Sequence, residues 1–349
     1  MTFLWYIPNT VEPGHRGDDA VAGYGTLEHS VDLARTAEEH GWEGALIGTG
    51  WGRPDTFTVA TAIAARTTTF RPLAAIRPGY WQPAHFASAA ATLDHLSGGR
   101  LLVNIVSGQD NLAAYGDREA DSAQRYARTR EFMQLVRRLW TEENVTYRGE
   151  HFQVNGSTVV PRPAGGGPRL YFGGASEAAE RVSAAEADVQ LFWGEPLEGI
   201  AERIDRLRKL SVDRELPPLE FGLRITTLIR DTTAEAWRDA EARVAAMGDR
   251  DDRHLDRHGP AVGQQRLLDL AARGDVLDTC LYTAPGRHGG GGAGTTWLVG
   301  TADEVALALR RYRDLGVTHF ILSDTPYKEE TARVGDALLK KAALSSSAG

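Results

Sequence analysis

The stretch GGRLLVNIVSGQDNLAAYGDREADSAQRY, residues 98–126, is the part of the chain from which the fold is inferred. A glycine pair ends a helical segment, and the apolar run at residues 101–106 then predicts a buried strand. The strand ends at Ser107, and a polar loop leads to the next helix. In α/β proteins, ligands bind at the carboxyl ends of the strands. The stretch therefore predicts a binding site at this strand end.

The composition indicates a globular protein and argues against several classes of partner. The chain has 349 residues, of which 42% are hydrophobic, enough to bury a large core. The net charge of −8 is spread along the sequence, so no basic patch is available for nucleic acid or a membrane surface. The single cysteine, Cys280, excludes an internal disulfide. We expect no signal peptide and no membrane span, and hence a cytoplasmic protein.

Short apolar strands alternate with helical patterns along most of the chain. Strands are predicted at residues 3–7, 45–47, 73–76, 101–106, 169–172, 189–193, 219–229 and 320–323. Parallel strands need crossover connections, and eight such units favour closure into a (β/α)8 TIM barrel. A doubly wound open sheet is the alternative. The first β–α turn, residues 9–25, lacks the glycine-rich phosphate fingerprint of that fold, so we favour the barrel.

Two segments interrupt this alternation. Residues 144–160, approximately, alternate in polarity around two turn signals and predict an inserted hairpin. Residues 248–297, approximately, start with a polar run, contain one helix and end in a run of glycines, which predicts a mobile lid. We expect residues 1–344 to form a single domain and residues 345–349 to be a disordered tail.

Two short motifs do not predict the chemistry that their patterns suggest. Gly289, Gly291 and Gly294 match G-x-G-x-x-G, but the next helix is predicted only near residue 302, so the glycines do not open it. We assign them to the lid. His254 and His258 have the spacing of one helix face, but a third zinc ligand is not evident. We therefore predict no metal site.

The turn Gly173-Gly174-Ala175-Ser176 directly follows a predicted strand and opens a helix. Backbone N–H groups and the helix dipole meet there, so the turn is suited to phosphate, with the Ser176 hydroxyl as a further donor. A tight β–α turn that Ser176 merely caps explains the same residues equally well.

Four further residues have both a functional and a structural explanation. Arg125 and Tyr126 open the helix after Ser107, where they could bind phosphate or be an exposed charge and a buried ring. Trp193 ends a strand and suits packing against a flat ring, although such residues commonly belong to the core. Arg224 lies midway through an apolar strand, and a buried guanidinium needs a polar or anionic partner. We favour a substrate over a structural carboxylate.

Several motifs together resemble the bacterial luciferase-like flavin monooxygenases. They are AAATLDHLSGGR at residues 89–100, NIVSG at 104–108, YFGG at 171–174 and FWGEP at 192–196. The chain is most similar to the alkanesulfonate monooxygenase group, with the pyrimidine oxygenase group as a second relative. The resemblance, over about residues 3–339, implies a (β/α)8 barrel that uses FMNH2 and O2 through a flavin (hydro)peroxide. It also implies a separate NAD(P)H-dependent flavin reductase, and a homodimer or homotetramer.

The resemblance assigns roles to residues at matching positions. Those that would bind the flavin are Ser107, Arg125, Tyr126, Gly174 and Ser176, with Trp193 near the ring. Arg224, Thr226 and Trp51 are the expected substrate contacts. Arg224, Tyr327 and Arg287 are the expected catalytic residues, and Tyr327 or Arg287 would donate a proton.

Most residues that handle the sulfonate in the alkanesulfonate group are different in this chain. This chain has Pro54 where that group has a cysteine, Thr226 where it has a histidine, and Gly290 where it has an arginine. Thr325 and Tyr327 occupy the positions of a tyrosine and a histidine. Arg224 retains the arginine of that group.

The overall prediction is a two-component, FMN-dependent monooxygenase of a small organic substrate, such as a sulfonate or another heteroatom-containing compound. A flavin- or deazaflavin-dependent hydride-transfer enzyme and a non-catalytic flavin-binding protein are the alternatives.

Overall fold

The computed structural model describes residues 1–9, 27–108, 112–117, 121–248, 262–288, 295–325 and 327–343. Its strands and helices in chain order are β1 (Thr2–Ile7), α1 (Leu27–Glu39), β2 (Gly44–Ile47), α2 (Thr56–Ala64), β3 (Arg71–Ile76), α3 (Pro83–Leu96), β4 (Leu102–Ile105), α4 (Ser122–Thr141), β5 (Val145–Arg148), β6 (Gln153–Ser157), β7 (Arg169–Gly173), α5 (Glu177–Glu186), β8 (Val189–Trp193), α6 (Leu197–Leu210), β9 (Glu220–Ile229), α7 (Thr233–Gly248), α8 (Val262–Arg273), β10 (Val276–Leu277), β11 (Leu281–Tyr282), β12 (Trp297–Gly300), α9 (Ala302–Leu315), β13 (Val317–Ser323) and α10 (Tyr327–Ala343). None of the described helices is long and apolar enough to cross a membrane.

Eight parallel strands close into a barrel. Strands β1, β2, β3, β4, β7, β8 and β9 pair in that order, and β13 pairs with both β9 and β1. An open sheet would leave two edge strands, whereas each of these eight strands has a parallel partner on both sides. The predicted (β/α)8 barrel is therefore confirmed, and the doubly wound alternative is excluded.

Local signals explain where several helices begin and end. Thr301 caps α9 through the backbone N–H of Glu304, and the Glu304 carboxylate accepts from the Thr301 N–H at 2.7 Å, which together form a capping box. Gly316 ends the same helix with a φ of 113°, a conformation that side chains disfavour. After α3, Gly98 and Gly99 have φ values of 67° and 79°, so the predicted helix stop before β4 is confirmed.

Alternation along β9 decides which side chains enter the barrel. The Phe221 ring stacks on Phe192, and the guanidinium of Arg208 from α6 lies 5.7 Å from its centroid, so Phe221 faces the outer helices. Because successive side chains point to opposite faces, Arg224 and Thr226 face the interior. The main hydrophobic core lies between the strands and the surrounding helices.

A hydrogen-bonded chain fills the amino-terminal end of the barrel. The Tyr171 hydroxyl lies 3.1 Å from His319 Nδ1, and His319 Nε2 lies 2.7 Å from a carboxylate oxygen of Glu220. Arg169 pairs with the other oxygen at 2.7 Å. Burial raises the pKa of Tyr171 to about 12. Burial also lowers the pKa of His319, more than the hydrogen bond to Glu220 raises it. This end is closed by the protein itself, so ligands are expected at the other end.

The two predicted insertions are both present in the described residues. Strands β5 and β6 pair antiparallel, which confirms the inserted hairpin. In the second insertion, β10, β11 and β12 form an antiparallel extension, and β12 joins β9 in parallel with Trp297 opposite Thr226. Thr226 pairs with Ser323 of β13 on its other side, so β12 lies beside β9 beyond the point where β8 ends. The insertion therefore builds up the wall of the barrel mouth.

A second, smaller cluster of buried residues packs the insertion against α7. Its members come from β9, α7, β11, β12 and the segment after β11: Leu228, Ala236, Ala240, Met247, Tyr282, Ala284, Trp297 and Val299. The motion expected of this insertion stays a prediction. The motif glycines, His254, His258 and residues 345–349 lie outside the described residues.

Candidate functional site

The carboxyl ends of four neighbouring strands carry most of the predicted site residues. Ser107 follows β4, Ser176 follows β7, Trp193 ends β8 and Arg224 lies within β9. In the barrel these strands are adjacent in the order β4, β7, β8 and β9. Segments far apart in sequence are thereby brought to one mouth.

A cleft beside the end of β4 is lined by several cationic side chains. Its lining combines three arginines with two hydroxyl groups: Arg77, Arg125, Arg128, Ser107 and Thr129. Among the described residues, no carboxylate is part of this lining. Arg128 is held by two hydrogen bonds of 2.8 Å to the carboxylate of Asp117. The guanidinium N–H groups in this lining are donors of the kind that bind an anionic group.

The hydrogen bonds of Ser107 determine which role it can take toward a ligand. The Thr129 hydroxyl donates to the carbonyl of Arg125 at 2.8 Å, so its proton is committed. The Ser107 hydroxyl, also hydrogen-bonded to Thr129, must therefore be the donor of that pair. This leaves the oxygen of Ser107 as an acceptor for an N–H or O–H group of a ligand.

The turn between β7 and α5 has the features of an anion site. Ser176 Oγ accepts from the backbone N–H of Ala179 at 3.2 Å, which confirms the predicted cap and leaves the hydroxyl proton for another acceptor. The first N–H groups of α5 have no intrahelical acceptors. A Cβ on Gly174 would lie 2.4 Å from the Cβ of Ala179, so only glycine lets the turn pack this closely on the helix. The cap and the anion site are thus compatible.

Tyr126 and Trp193 are both only partly buried. The Tyr126 ring packs edge-on against Phe172 of β7, with 6.5 Å between centroids, and so ties α4 to the neighbouring strand. The Trp193 indole contacts α8, where a Cβ on Gly263 would lie 3.3 Å from the ring. Helix α8 therefore covers part of Trp193.

Arg224 and Thr226 form a polar strip on the inner face of β9. The Arg224 guanidinium lies over the ring of Tyr6, with Cζ 4.1 Å from the centroid, a favourable cation–π geometry. The Thr226 hydroxyl is buried, 3.4 Å from each of the hydroxyls of Thr295 and Ser323. The strip presents one cation and several hydroxyl groups to the interior.

Three predicted residues lie farther along the rim or within other segments. Arg287 donates to the carbonyl of Ala271 at 2.8 Å and pairs with Asp275, so its own insertion holds it. Tyr327, at the start of α10, is 3% exposed. Trp51 follows β2, is 52% exposed and packs edge-on against Tyr115. The roles assigned to these three residues stay predictions.

Asn104 is a site candidate that the sequence analysis did not assign. It lies opposite Tyr171, whose hydroxyl is in the interior, and is 8% exposed. Its side-chain oxygen has no hydrogen-bond partner within the described part of the chain. An unsatisfied buried polar atom costs about 1–3 kcal/mol, so this oxygen is available to accept a hydrogen bond from a water or a ligand. The signal was available, since a polar residue in an apolar strand is also what singled out Arg224.

The cationic cleft contains two further arginines that the sequence analysis missed. Arg77 stands at the end of β3, before a proline, and donates to the carbonyl of Gly108 at 2.7 Å. Arg128 lies one helical turn after Arg125. Arg77 was visible as a charge at a predicted strand end and Arg128 as a charge on a helix, but nothing in the sequence joined them to Ser107.

Comparisons with known proteins agree with this geometry. A family model described as luciferase-like monooxygenase matches residues 1–319. The fold is similar to that of the EDTA monooxygenase from Chelativorans sp. BNC1, with a TM-score of 0.80, 18% identity, and coverage of 97% of this chain and 92% of that one. It is also similar to a long-chain alkane monooxygenase, with a TM-score of 0.78, 16% identity, and coverage of 99% and 92%.

A third similar structure is that of an enzyme that depends on coenzyme F420. It is the coenzyme F420-dependent tetrahydromethanopterin reductase from Methanopyrus kandleri, with a TM-score of 0.70, 18% identity, and coverage of 97% and 98%. At these identities the structural likeness shows a shared fold, whereas the family model covers most of the chain. The chain therefore belongs to the luciferase-like monooxygenase family.

Proposed function

We propose that this protein is the oxygenase of a two-component system that acts on a small organic substrate. A separate NAD(P)H-dependent reductase would deliver FMNH2, which when bound supplies the electrons that activate O2. The observation that carries the proposal is one barrel mouth holding both the anion-type turn after β7 and the cationic cleft after β4. The phosphate of FMN is an anionic group of the kind that both features suit.

The side chains at the mouth fit the parts of FMN. The phosphate suits the start of α5, with the Ser176 hydroxyl as donor and Arg125 as counter-charge. The ring system carries N–H groups that need acceptors, and the Asn104 oxygen and the Ser107 oxygen are acceptors. Trp193 offers a flat face at the end of β8. A ring N–H group that donates to Asn104 would satisfy its buried side-chain oxygen.

The substrate would bind on the inner face of β9. Arg224 brings a positive charge that suits an anionic or strongly polar group, and Thr226 adds a hydroxyl beside it. Trp51 offers an apolar face at the rim. Helix α8, by covering Trp193, helps to exclude water, which would otherwise compete with the reaction. Tyr327 is the proposed proton donor, and Arg287 is the weaker candidate because it pairs with Asp275.

The substitution Arg224→Ala tests the division between substrate and cofactor sites. Loss of one charge-assisted contact, about 1.5–3 kcal/mol, should lower turnover of the substrate by roughly 10- to 150-fold. Affinity for FMNH2, measured by anaerobic titration, should stay unchanged.

The substrate for this test is first identified by assaying a panel of sulfonates, sulfones, amines and heterocycles with FMN, reductase and NAD(P)H. Equal losses of flavin and substrate binding would reject the assignment of Arg224.

The similarity to an F420-dependent reductase supports a second candidate, hydride transfer to or from a deazaflavin without oxygen. Oxygen consumption that depends on FMNH2 and substrate supports the monooxygenase, whereas anaerobic reduction of a deazaflavin supports the alternative. Tight binding of oxidised FMN with no turnover across the panel would instead indicate a non-catalytic flavin-binding protein. Light scattering in solution would test the proposed homodimer or homotetramer.

A further inference from the structure

A network of ion pairs connects α5, α6 and α8, with its centre buried and Arg266 on α8 partly exposed. Arg203 on α6 is 2% exposed and lies between two carboxylates, Glu180 at 2.9 Å and Glu195 at 2.8 Å. Arg266 on α8 pairs with the same Glu195 carboxylate, and its Nε lies 3.1 Å from the oxygen that Arg203 also contacts. A continuous path of charged groups therefore runs from the start of the barrel helix α5 to a helix of the insertion.

Arg203 also holds the backbone of the turn after β7. Its Nη2 donates to the carbonyl of Gly174 at 2.7 Å, and Gln190 donates to the same oxygen at 3.2 Å. In a trans peptide, the carbonyl of one residue and the N–H of the next point in opposite directions. Holding the Gly174 carbonyl toward α6 therefore aims the N–H of Ala175 away from the network. Within the described part of the chain, this N–H has no hydrogen-bond acceptor.

The groups of this network stay ionised, so their ion pairs keep Arg203 in place against the Gly174–Ala175 peptide. Burial alone would raise the pKa of Glu180, but hydrogen bonds from Arg206 and Arg203 outweigh burial and keep that pKa below its ordinary value. The Arg203 guanidinium also lies 4.7 Å from the centroid of the Phe192 ring. Removing one partner would leave another charge buried without compensation. Several independent contacts therefore fix the position of the Arg203 guanidinium.

Residues of the insertion also bind the turn after β8, which contains Glu195. Thr296 donates to the carbonyl of Gly194 at 2.7 Å, and the Asp278 carboxylate accepts from the N–H of Leu197 at 2.6 Å. Arg266 adds its ion pair with Glu195. Contacts from the insertion thus surround the residue that Arg203 binds.

We propose that Arg203 and Arg266 are positioning residues for the phosphate group of the flavin. Arg203 orients the Gly174–Ala175 peptide so that an N–H points to the ligand, and Arg266 holds Glu195, which holds Arg203. Neither side chain needs to contact the flavin. The inference rests on the proposed binding of FMN at this turn, and it assigns a residue of the insertion to phosphate recognition.

The test compares a ligand that has the phosphate with one that lacks it. The full-length protein and its Arg266→Gln variant are titrated anaerobically with reduced FMN and with reduced riboflavin. We expect the variant to lose about fivefold or more in affinity for FMN and to bind riboflavin as the wild type does. The control is Arg181→Gln, which removes the same charge from an exposed pair with Glu177 on α5 and should change neither affinity.

A second variant separates positioning from general loss of structure. Arg203→Lys keeps the charge but loses the planar fork that joins Gly174 to the two carboxylates. If Arg266 acts through Arg203, the effect of Arg266→Gln on FMN should largely disappear in the Arg203→Lys background.

Each remaining outcome has a distinct meaning. Additive effects of the two substitutions, equal losses for FMN and riboflavin, or an unchanged affinity for FMN would overturn the inference. A wild-type protein without preference for FMN over riboflavin would instead refute the phosphate site itself.

Discussion

The carboxyl group of Glu330 should make the protein lose stability as the pH rises through neutrality. Glu330, in the first turn of α10, is 2% exposed. Burial first, and the negative charge of Asp324 second, raise its pKa from 4.5 to about 7, although Arg230 lies 3.2 Å away. The folded protein therefore binds a proton here more tightly than the unfolded chain does.

The sign and size of the effect follow from this difference. A carboxyl group with a raised pKa contributes stability that is complete below pH 4.5 and lost as the pH rises through about 7. The interval between the two pKa values corresponds to about 3 kcal/mol. Because Glu330 and Asp324 share one environment, the loss belongs to the pair.

The substitution Glu330→Gln removes the carboxyl group of Glu330 from this pair and leaves Asp324 in place. Urea unfolding of the wild type and the variant would be measured at pH values of about 5, 6, 7 and 8. Between about pH 5 and pH 8, the difference in unfolding free energy should change by about 2–3 kcal/mol in favour of the variant, because a small part of the loss has already occurred at the lower pH. Glu329→Gln, at the exposed neighbouring position of the same helix, is the control for removal of a carboxyl group and is measured at the same pH values. A difference for Glu330→Gln that stays constant across this pH range would refute the reasoning.

Two further predictions concern the turn after β7 and the amino-terminal end of the barrel. Gly174→Ala should lower affinity for FMN and cost about 1–3 kcal/mol in urea unfolding, because the added Cβ would lie 2.4 Å from another Cβ. Gly173→Ala meets its nearest atom at 3.7 Å and should change neither quantity, so matching losses in both variants would contradict the packing argument. For His319, burial lowers the pKa below 6.5, so the stability it contributes is present above that pH and lost below it. In unfolding experiments, His319→Gln should flatten the loss of stability between about pH 7 and pH 5, and an unchanged slope would count against a neutral His319.

Much of the fold and part of the site could be predicted because their signals are local. Strand and helix periodicity reports the burial of consecutive side chains, so the eight barrel strands and the inserted hairpin were found with nearly their observed bounds. The cap at Ser176 depends on four residues in sequence, and it too was predicted. Arg224 was singled out for the same kind of reason, as one charge in an apolar strand.

The remaining site residues depend on contacts that the sequence does not encode locally. Arg203 is an ordinary charge on an amphipathic helix until α6 packs over the turns after β7 and β8, where it meets Gly174 and Glu195. Asn104 is a site candidate only because its oxygen is buried and unsatisfied once the barrel closes.

The sequence by itself determined the alternation of strands and helices, the insertions and the cap at Ser176, since each depends on the chemistry of neighbouring residues. Only the tertiary structure decided which side chains share the barrel mouth, which charges are buried together, and which polar atoms still need a partner. The reason is physical: burial, pairing and pKa depend on the distances between segments, and those distances exist only after β8 has paired with β9 and closed the barrel.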